Sequence, residues 1–280
     1  MEAEAGLERL SLNVWTTRHW PLPEIVAGCA RAGIPGIGLW REKVAEVGVD
    51  KAARLIADQG LTVTSLCRGG FFTAGNGNGG YDNHAAVDEA AAVGAPVLVL
   101  VVGGLPEGSK DLAGARETVA AGVSALAPYA EQRGVRLAIE PLHPMFCADR
   151  AVVSTLGQAL DLADRVTAET GCQNVGVCVD TYHIWWDPQV HEQIARAGQR
   201  IYAFQACDFL VPIPADALLG RGHVGDGVAD IPALARSVAA TGYDGFTEVE
   251  IFNADVWATP GDETLHTVAQ RHRQYLAGIV

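Results

Sequence analysis

Four polar side chains stand at the downstream ends of four separate apolar runs: Glu140 after VRLAI, Asp180 after VGVCV, Gln205 after IYAF and Glu250 within FTEVEIF. Oxygen donors brought to the same end of neighbouring strands can converge on one hard cation. Three carboxylates and a carboxamide suit one divalent ion, Mn²⁺ or Mg²⁺ with Co²⁺ as a further candidate, far better than a soft metal. Each residue also has a plainer use. Glu140 could pair with Arg136 or Arg150, Asp180 could cap the segment after it, and Gln205 could be a bonded core amide. Glu250 follows Glu248 by two residues, so in a strand both point to one face and either or both could be the inward group. Acidic groups facing a strand-lined interior cost several kcal/mol unless paired or metal-bound. Three of them with a carboxamide at matching positions therefore favour an ion site.

The elements that must position them follow a rhythm of short β-like runs and longer Ala-rich helical stretches. The runs begin near Leu10, Ile34, Leu61, Pro96, Val135, Val175, Ile201 and Gly245. Between them lie segments such as DKAARLIADQG and IPALARSVAATG, several closed by Gly as helix C-termini prefer. Strands rich in Val, Leu and Ile suit a parallel sheet covered by helices. Eight βα units predict an α/β fold, a single (β/α)8 TIM barrel over residues 1–280. In such a barrel the C-terminal strand ends carry the chemistry.

Composition narrows the partners. The 280-residue chain is 49% hydrophobic and carries a net charge of −13, which opposes a nucleic-acid partner. Six cysteines form no CxxC pair and read as reduced thiols. No apolar stretch is long enough for a membrane span. MEAEAGLERL lacks the features of a cleavable signal, so a cytoplasmic location is expected. Two irregular stretches, residues 69–83 and 209–227, follow strand ends and should overhang the mouth, the second as a lid on glycine hinges. The first contains GNGNGG, a literal GxGxxG, but without the strand-to-helix context of a dinucleotide site.

The motifs EPLHP, DTYH, QACD with GRGHVGDG, and GYDGFTEVEIF resemble the xylose isomerase-like superfamily of sugar phosphate isomerases and epimerases. The resemblance implies a TIM barrel holding one divalent ion through Glu140, Asp180, Gln205 and Glu250. Gln205 departs from the commoner His, as in hydroxypyruvate isomerase, which favours Mg²⁺ or Mn²⁺ over Zn²⁺. The implied activity is isomerisation or epimerisation of a keto-sugar or hydroxy-keto acid through an enediolate, as in ketose 3-epimerases, with Glu140 and Glu250 moving protons. A related branch, the endonuclease that nicks abasic DNA, uses three zinc ions and extra His ligands after strands three and four. Here those ends read LCRGG and VVGGLP. Two alternatives stay open: a lyase cleaving 3-keto-glycosides, including C-glycosides, and a non-catalytic barrel serving as a partner subunit. A homo-oligomer is compatible with either.

Several neighbours are candidates for holding a small-molecule substrate. His183 lies three residues after Asp180 and can donate to a substrate oxygen. Arg221 resembles the arginine with which family members hold sugar oxygens, and its fork suits the distal oxygens of the substrate. His143 and Arg68 follow strand ends, His223 shares the Arg221 loop, and Trp15 and Trp40 offer an apolar wall for a sugar ring.

Overall fold

In a computed structural model describing residues 5–74 and 82–280, the eight expected runs become eight strands. They are β1 (Leu10–Asn13), β2 (Gly36–Trp40), β3 (Thr62–Gly70), β4 (Val97–Val101), β5 (Arg136–Ile139), β6 (Val175–Asp180), β7 (Ile201–Gln205) and β8 (Thr247–Val249). Each pairs in parallel with its neighbours, and β1 closes on β8 to complete the barrel. The central strands β2, β4 and β6 are buried along their whole length, as Val- and Leu-rich runs between a lumen and a helical coat must be. Strand β2 starts at Gly36 rather than Ile34, because Pro35 has no N–H to give a ladder. The GNGNGG segment lies outside the described residues.

Helices between the strands cover the barrel, and their ends follow local chemistry. Asp82, Asp111, Thr155 and Asp230 cap helix N-termini through their side chains. Gly94 and Gly171 stop helices in the left-handed region, at φ 76° and 77°. All six cysteines are free thiols, five of them buried. Among the described residues no helix is long and apolar enough to cross a membrane.

The stretch 209–227 differs from a lid on glycine hinges. Its two ends zip into an antiparallel ribbon, Asp208–Phe209 against Arg221–Gly222. Asp208 accepts backbone N–H groups from Phe209, Gly225 and Ala229, and Asp226 pairs with Arg271 at 2.6 Å. The glycines serve close approach instead of hinge motion: a Cβ on Gly227 would lie 2.2 Å from the Phe209 carbonyl oxygen. Even the middle is tied, since the Tyr182 hydroxyl donates to the Ala217 carbonyl. The tip around Val211 and Ile213, each more than half exposed, is what remains able to move.

Inside the lumen, one layer below the strand ends, Glu248 collects four donors. Asn13 Nδ2 reaches one carboxylate oxygen at 2.8 Å and Gln205 Nε2 the same oxygen at 2.9 Å; Thr64 and Ser65 hydroxyls reach the other at 2.7 and 2.8 Å. Two consecutive residues of β3 can face one carboxylate because the register between β2 and β3 slips there, pairing Ile37 with Val63 but Gly38 with Ser65. Gly38 makes room: a Cβ at that position would sit 2.3–2.5 Å from the Glu248 carboxylate. Gly38→Ala is expected to lower stability by roughly 2–4 kcal/mol, combining overpacking with a displaced buried acceptor. Urea unfolding of the two proteins measures it, and a change under ~0.5 kcal/mol would show that the layer yields freely.

Candidate active site

The strand ends deliver the acids where the sequence placed them. Glu140 directly follows β5, Asp180 ends β6 and Glu250 directly follows β8; all three are buried. Asp180 serves two partners at once. One oxygen caps the short helix Thr181–Ile184 by accepting the Tyr182 N–H at 2.8 Å, and the other accepts Arg221 Nη1 at 2.8 Å. Cap and site residue are therefore one and the same, each oxygen taking one role. Glu250 accepts Trp40 Nε1 at 3.1 Å on one oxygen and Arg221 Nη1 at 3.1 Å on the other.

Arg221 thus lies at the floor of the site, not at its rim. Its guanidinium is buried between Asp180 and Glu250 and stacks near the rings of Tyr182 and Phe252. The residue expected to read distal substrate oxygens lines the cavity with its guanidinium against two carboxylates, which in a low-dielectric pocket draw the nearest cation to themselves. Asn253 Nδ2 donates to the Arg221 carbonyl at 2.8 Å and fixes the backbone that presents it.

One guanidinium does not balance three carboxyl groups. Burial pushes the Glu140 carboxyl well above the usual carboxylate range, and the neighbouring Asp180 and Glu250 push it further. Burial raises Glu250 as well, to about 7, against Arg221 and the Trp40 indole, which favour its charged form. The surplus of acidic groups is what a divalent cation would relieve. Among the described residues, ligand atoms of Glu140, Asp180 and His183 lie within 4.8 Å of one another. The residues therefore fit a hard cation held by carboxylates. The Cys67 thiol nearby is driven well above its ordinary pKa, chiefly by burial.

Around these groups is a small cavity of about 40 Å³, lined by Glu140, Glu250, His183 and Arg221 with Trp40 and Phe252 as apolar wall. A model of the xylose isomerase-like TIM barrel matches residues 26–276. The chain belongs to that family. Among solved members of similar fold, protein SMc04130 from Sinorhizobium meliloti 1021 is 48% identical, with a TM-score of 0.92 over 97% of this chain and 100% of that one. The IolI protein, solved with a bound zinc atom, superposes at TM-score 0.82 with 20% identity, over 97% of this chain and 99% of that one. The D-allulose 3-epimerase from Methylomonas sp. gives 0.74 and 19%, over 96% and 98%. No curated protein matches the chain.

In this family member Gln205 ends β7, beside Asp180 in register. Its amide nitrogen donates to Glu248, and its oxygen accepts the Cys178 thiol at 3.5 Å. A carboxylate only accepts, so Glu248 fixes which end of the Gln205 amide is nitrogen and turns the oxygen away from itself. The same layer decides between the two strand-eight acids: Glu248 is filled with donors, and Glu250 is the one that lines the cavity.

His183 meets the acids more closely than an all-oxygen site requires. Its Nε2 is 3.8 Å from Asp180 and 4.0 Å from Glu140. Its Nδ1, however, accepts the backbone N–H of His143 at 3.1 Å, which places the proton of a neutral ring on Nε2. A ring in that tautomer donates and does not ligate through Nε2. Arg221 Nη2 lies 3.1 Å from the same nitrogen, so a second donor faces the ring there. The sequence offered no signal for this, because the deciding donor is a main-chain N–H forty residues away.

The remaining candidates divide. Trp40 and Arg68 line the cavity, whereas Trp15 stacks behind Trp40 with ring centroids 4.6 Å apart. His143 contributes its backbone; its own ring caps the turn at Met145 and packs on Phe209 and Trp186. His223 lies outside the lining, half-buried, with a buried Nδ1 that has no hydrogen-bond partner. Arg150 lines the cavity but was read from the sequence only as a partner for Glu140. Burial, followed by the Arg221 charge, holds the His183 ring well below its usual pKa. Nitrogen NMR should therefore find it neutral, with the proton on Nε2, as pH falls through about 6.5, the ordinary histidine value. The unfolded chain binds that proton and the folded one does not, so this residue's contribution to stability declines below the same pH. A proton on Nδ1 at neutral pH would reverse the donor assignment.

Proposed function

We propose that the protein is a divalent-metal-dependent isomerase or epimerase acting on a keto-sugar or hydroxy-keto acid through an enediolate. The observation that carries this is the pair Glu140 and Glu250, both buried on the lining of one cavity, with Asp180 bound to Arg221 beside them. A divalent ion held by Glu140, Asp180 and Glu250, with Gln205 as the fourth proposed oxygen donor, would polarise the carbonyl and neighbouring hydroxyl oxygens and acidify the C–H between them. The protein's own groups do the rest. Glu140 and Glu250 approach from strands β5 and β8, and between them the pair takes the proton from carbon and returns one from the other side. Strands β5 and β8 are three steps apart around the eight-strand ring, which favours exchange on two faces of the substrate carbon. The His183 Nε2–H donates to a substrate oxygen, Arg221 holds Asp180 and Glu250 in place, and Trp40 with Phe252 shields one side from water.

A second reading has one observation in its favour. Trp15, Trp40, Phe252 and Trp257 form a continuous aromatic wall, more than a small keto acid needs, and a 3-keto-glycoside lyase would use it against an aglycone. Release of aglycone from a 3-keto-glucoside, with no exchange into ketoses, would establish the lyase.

Solvent deuterium incorporation into a panel of ketoses and hydroxypyruvate tests the leading reading. Glu140→Gln and Glu250→Gln each keep an oxygen donor and are expected to lower exchange by more than ~10²-fold while the purified protein keeps measurable Mn²⁺ or Mg²⁺. A variant with near-normal exchange would reduce that carboxylate to a ligand. Chelation should abolish exchange and Mn²⁺ restore it; exchange that persists in metal-free protein would remove the ion from the reaction.

A further inference from the structure

The three acids of the site are not held in the same way. Glu140 stays in the sheet through its own backbone, its N–H donating to the Leu100 carbonyl of β4 at 3.1 Å, and Asp180 is paired with Gln205 of β7. Glu250 lies past the end of its ladders. On one side β8 pairs with β1 as far as Val249, opposite Leu12; on the other it pairs with β7 as far as Glu248, opposite Gln205. Strand β1 stops because Asn13 turns the chain: its side-chain oxygen accepts the Trp15 N–H at 3.0 Å and starts the short helical turn Val14–Thr17.

That turn brings one hydroxyl back to the barrel wall. Thr16 Oγ1 donates to the Val249 carbonyl at 3.0 Å and accepts the Ile251 N–H at 3.0 Å, so it bonds to the backbone on both sides of Glu250. In a parallel ladder a residue opposite Glu250 would bond to the same two groups with its own N–H and C=O. A threonine hydroxyl, with one donor and two lone pairs, does both with one atom. Thr16 is fully buried, and its branched Cβ leaves χ1 little freedom. The other anchors of Glu250 are Trp40 Nε1 and Arg221 Nη1 on its carboxylate, and a longer contact of Arg221 Nη1 with its carbonyl at 3.3 Å.

We infer that Thr16 is a positioning residue for Glu250: its hydroxyl carries strand geometry beyond the ladder's end and so aims the carboxylate at the cavity. The inference rests on the isomerase reading only for what Glu250 then does. Thr16 is not on the cavity lining, so its effect on the reaction passes through the acid it holds. A proton-transferring group must lie within hydrogen-bond reach of its proton, and a misplacement of about 1 Å can cost roughly 10²-fold in rate. A pivot of the backbone at Glu250 moves the end of that long side chain further than its Cα.

Thr16→Val removes the hydroxyl at nearly constant shape, and Thr16→Ser keeps it. In nitrogen-labelled protein the Trp40 indole N–H, assigned with Trp40→Phe, reports on the Glu250 carboxylate to which it donates. Thr16→Val is expected to shift that resonance and to lower kcat for deuterium exchange ~10- to 100-fold, with KM changed less than ~3-fold, and Thr16→Ser to restore both. Unfolding temperatures are measured on the same samples, since losing two buried bonds lowers stability whether or not the acid moves. A Val variant that is less stable but keeps the indole resonance and kcat, or a Ser variant that behaves like Val, overturns the inference. If Thr16→Val does not fold, Thr16→Cys, whose thiol is a weaker donor, is read in the same way. Absence of exchange in every ketose with the wild type would sink the isomerase reading, and the Trp40 resonance would still decide whether Thr16 places Glu250.

Discussion

The site is organised by a shortage of positive charge. Glu140, Asp180 and Glu250 are brought together in a buried space by three strands that the barrel closure fixes independently, and none of them can retreat to solvent. Arg221 is drawn down to them, Asp180 is held by a helix N-terminus, and Glu250 takes an indole N–H. What remains is unbalanced, which is why the Glu140 carboxyl is displaced so far from its ordinary range. A protein that only needed a stable core would have filled this volume with Leu or Val, since buried charge is weak evidence of stability.

That shortage also explains where Arg221 lies. The guanidinium nearest the acids is consumed by them and becomes part of the floor. The loop bearing Arg221 is correspondingly rigid: ribbon pairing, the Asp208 carboxylate and the Asp226–Arg271 pair hold it as structure. A lid role belongs at most to its exposed tip.

Much of the fold was legible because its signals are local and periodic. Each Val-, Leu- or Ile-rich run became a strand, and the acids at Glu140, Asp180 and Glu250 lie at strand ends because their places are set by where the apolar runs stop. What escaped was tertiary. Nothing in FTEVEIF distinguishes Glu248 from Glu250; the choice depends on Asn13, Thr64 and Ser65 arriving from β1 and β3. Arg150 sits in an irregular segment with no periodicity to place it, and the donor that sets the His183 tautomer is a backbone group of His143. Glycines misled for the same reason: GRGHVGDG reads as freedom, but Gly222 and Gly227 are small so that other chain segments can come close.

The Glu248 layer bears on how the barrel can come apart. Asn13, Thr64 and Ser65 belong to its first half, and Gln205 and Glu248 to its second. Split between β4 and β5, the chain would leave a carboxylate in one fragment and three of its four donors in the other, each stripped of a partner in an apolar interior. Neither half is self-sufficient. Closure therefore acts as a checkpoint: a half-barrel carries an electrostatic penalty that vanishes only when β8 docks on β1, so opening at that seam exposes the penalty at once and the two halves unfold together.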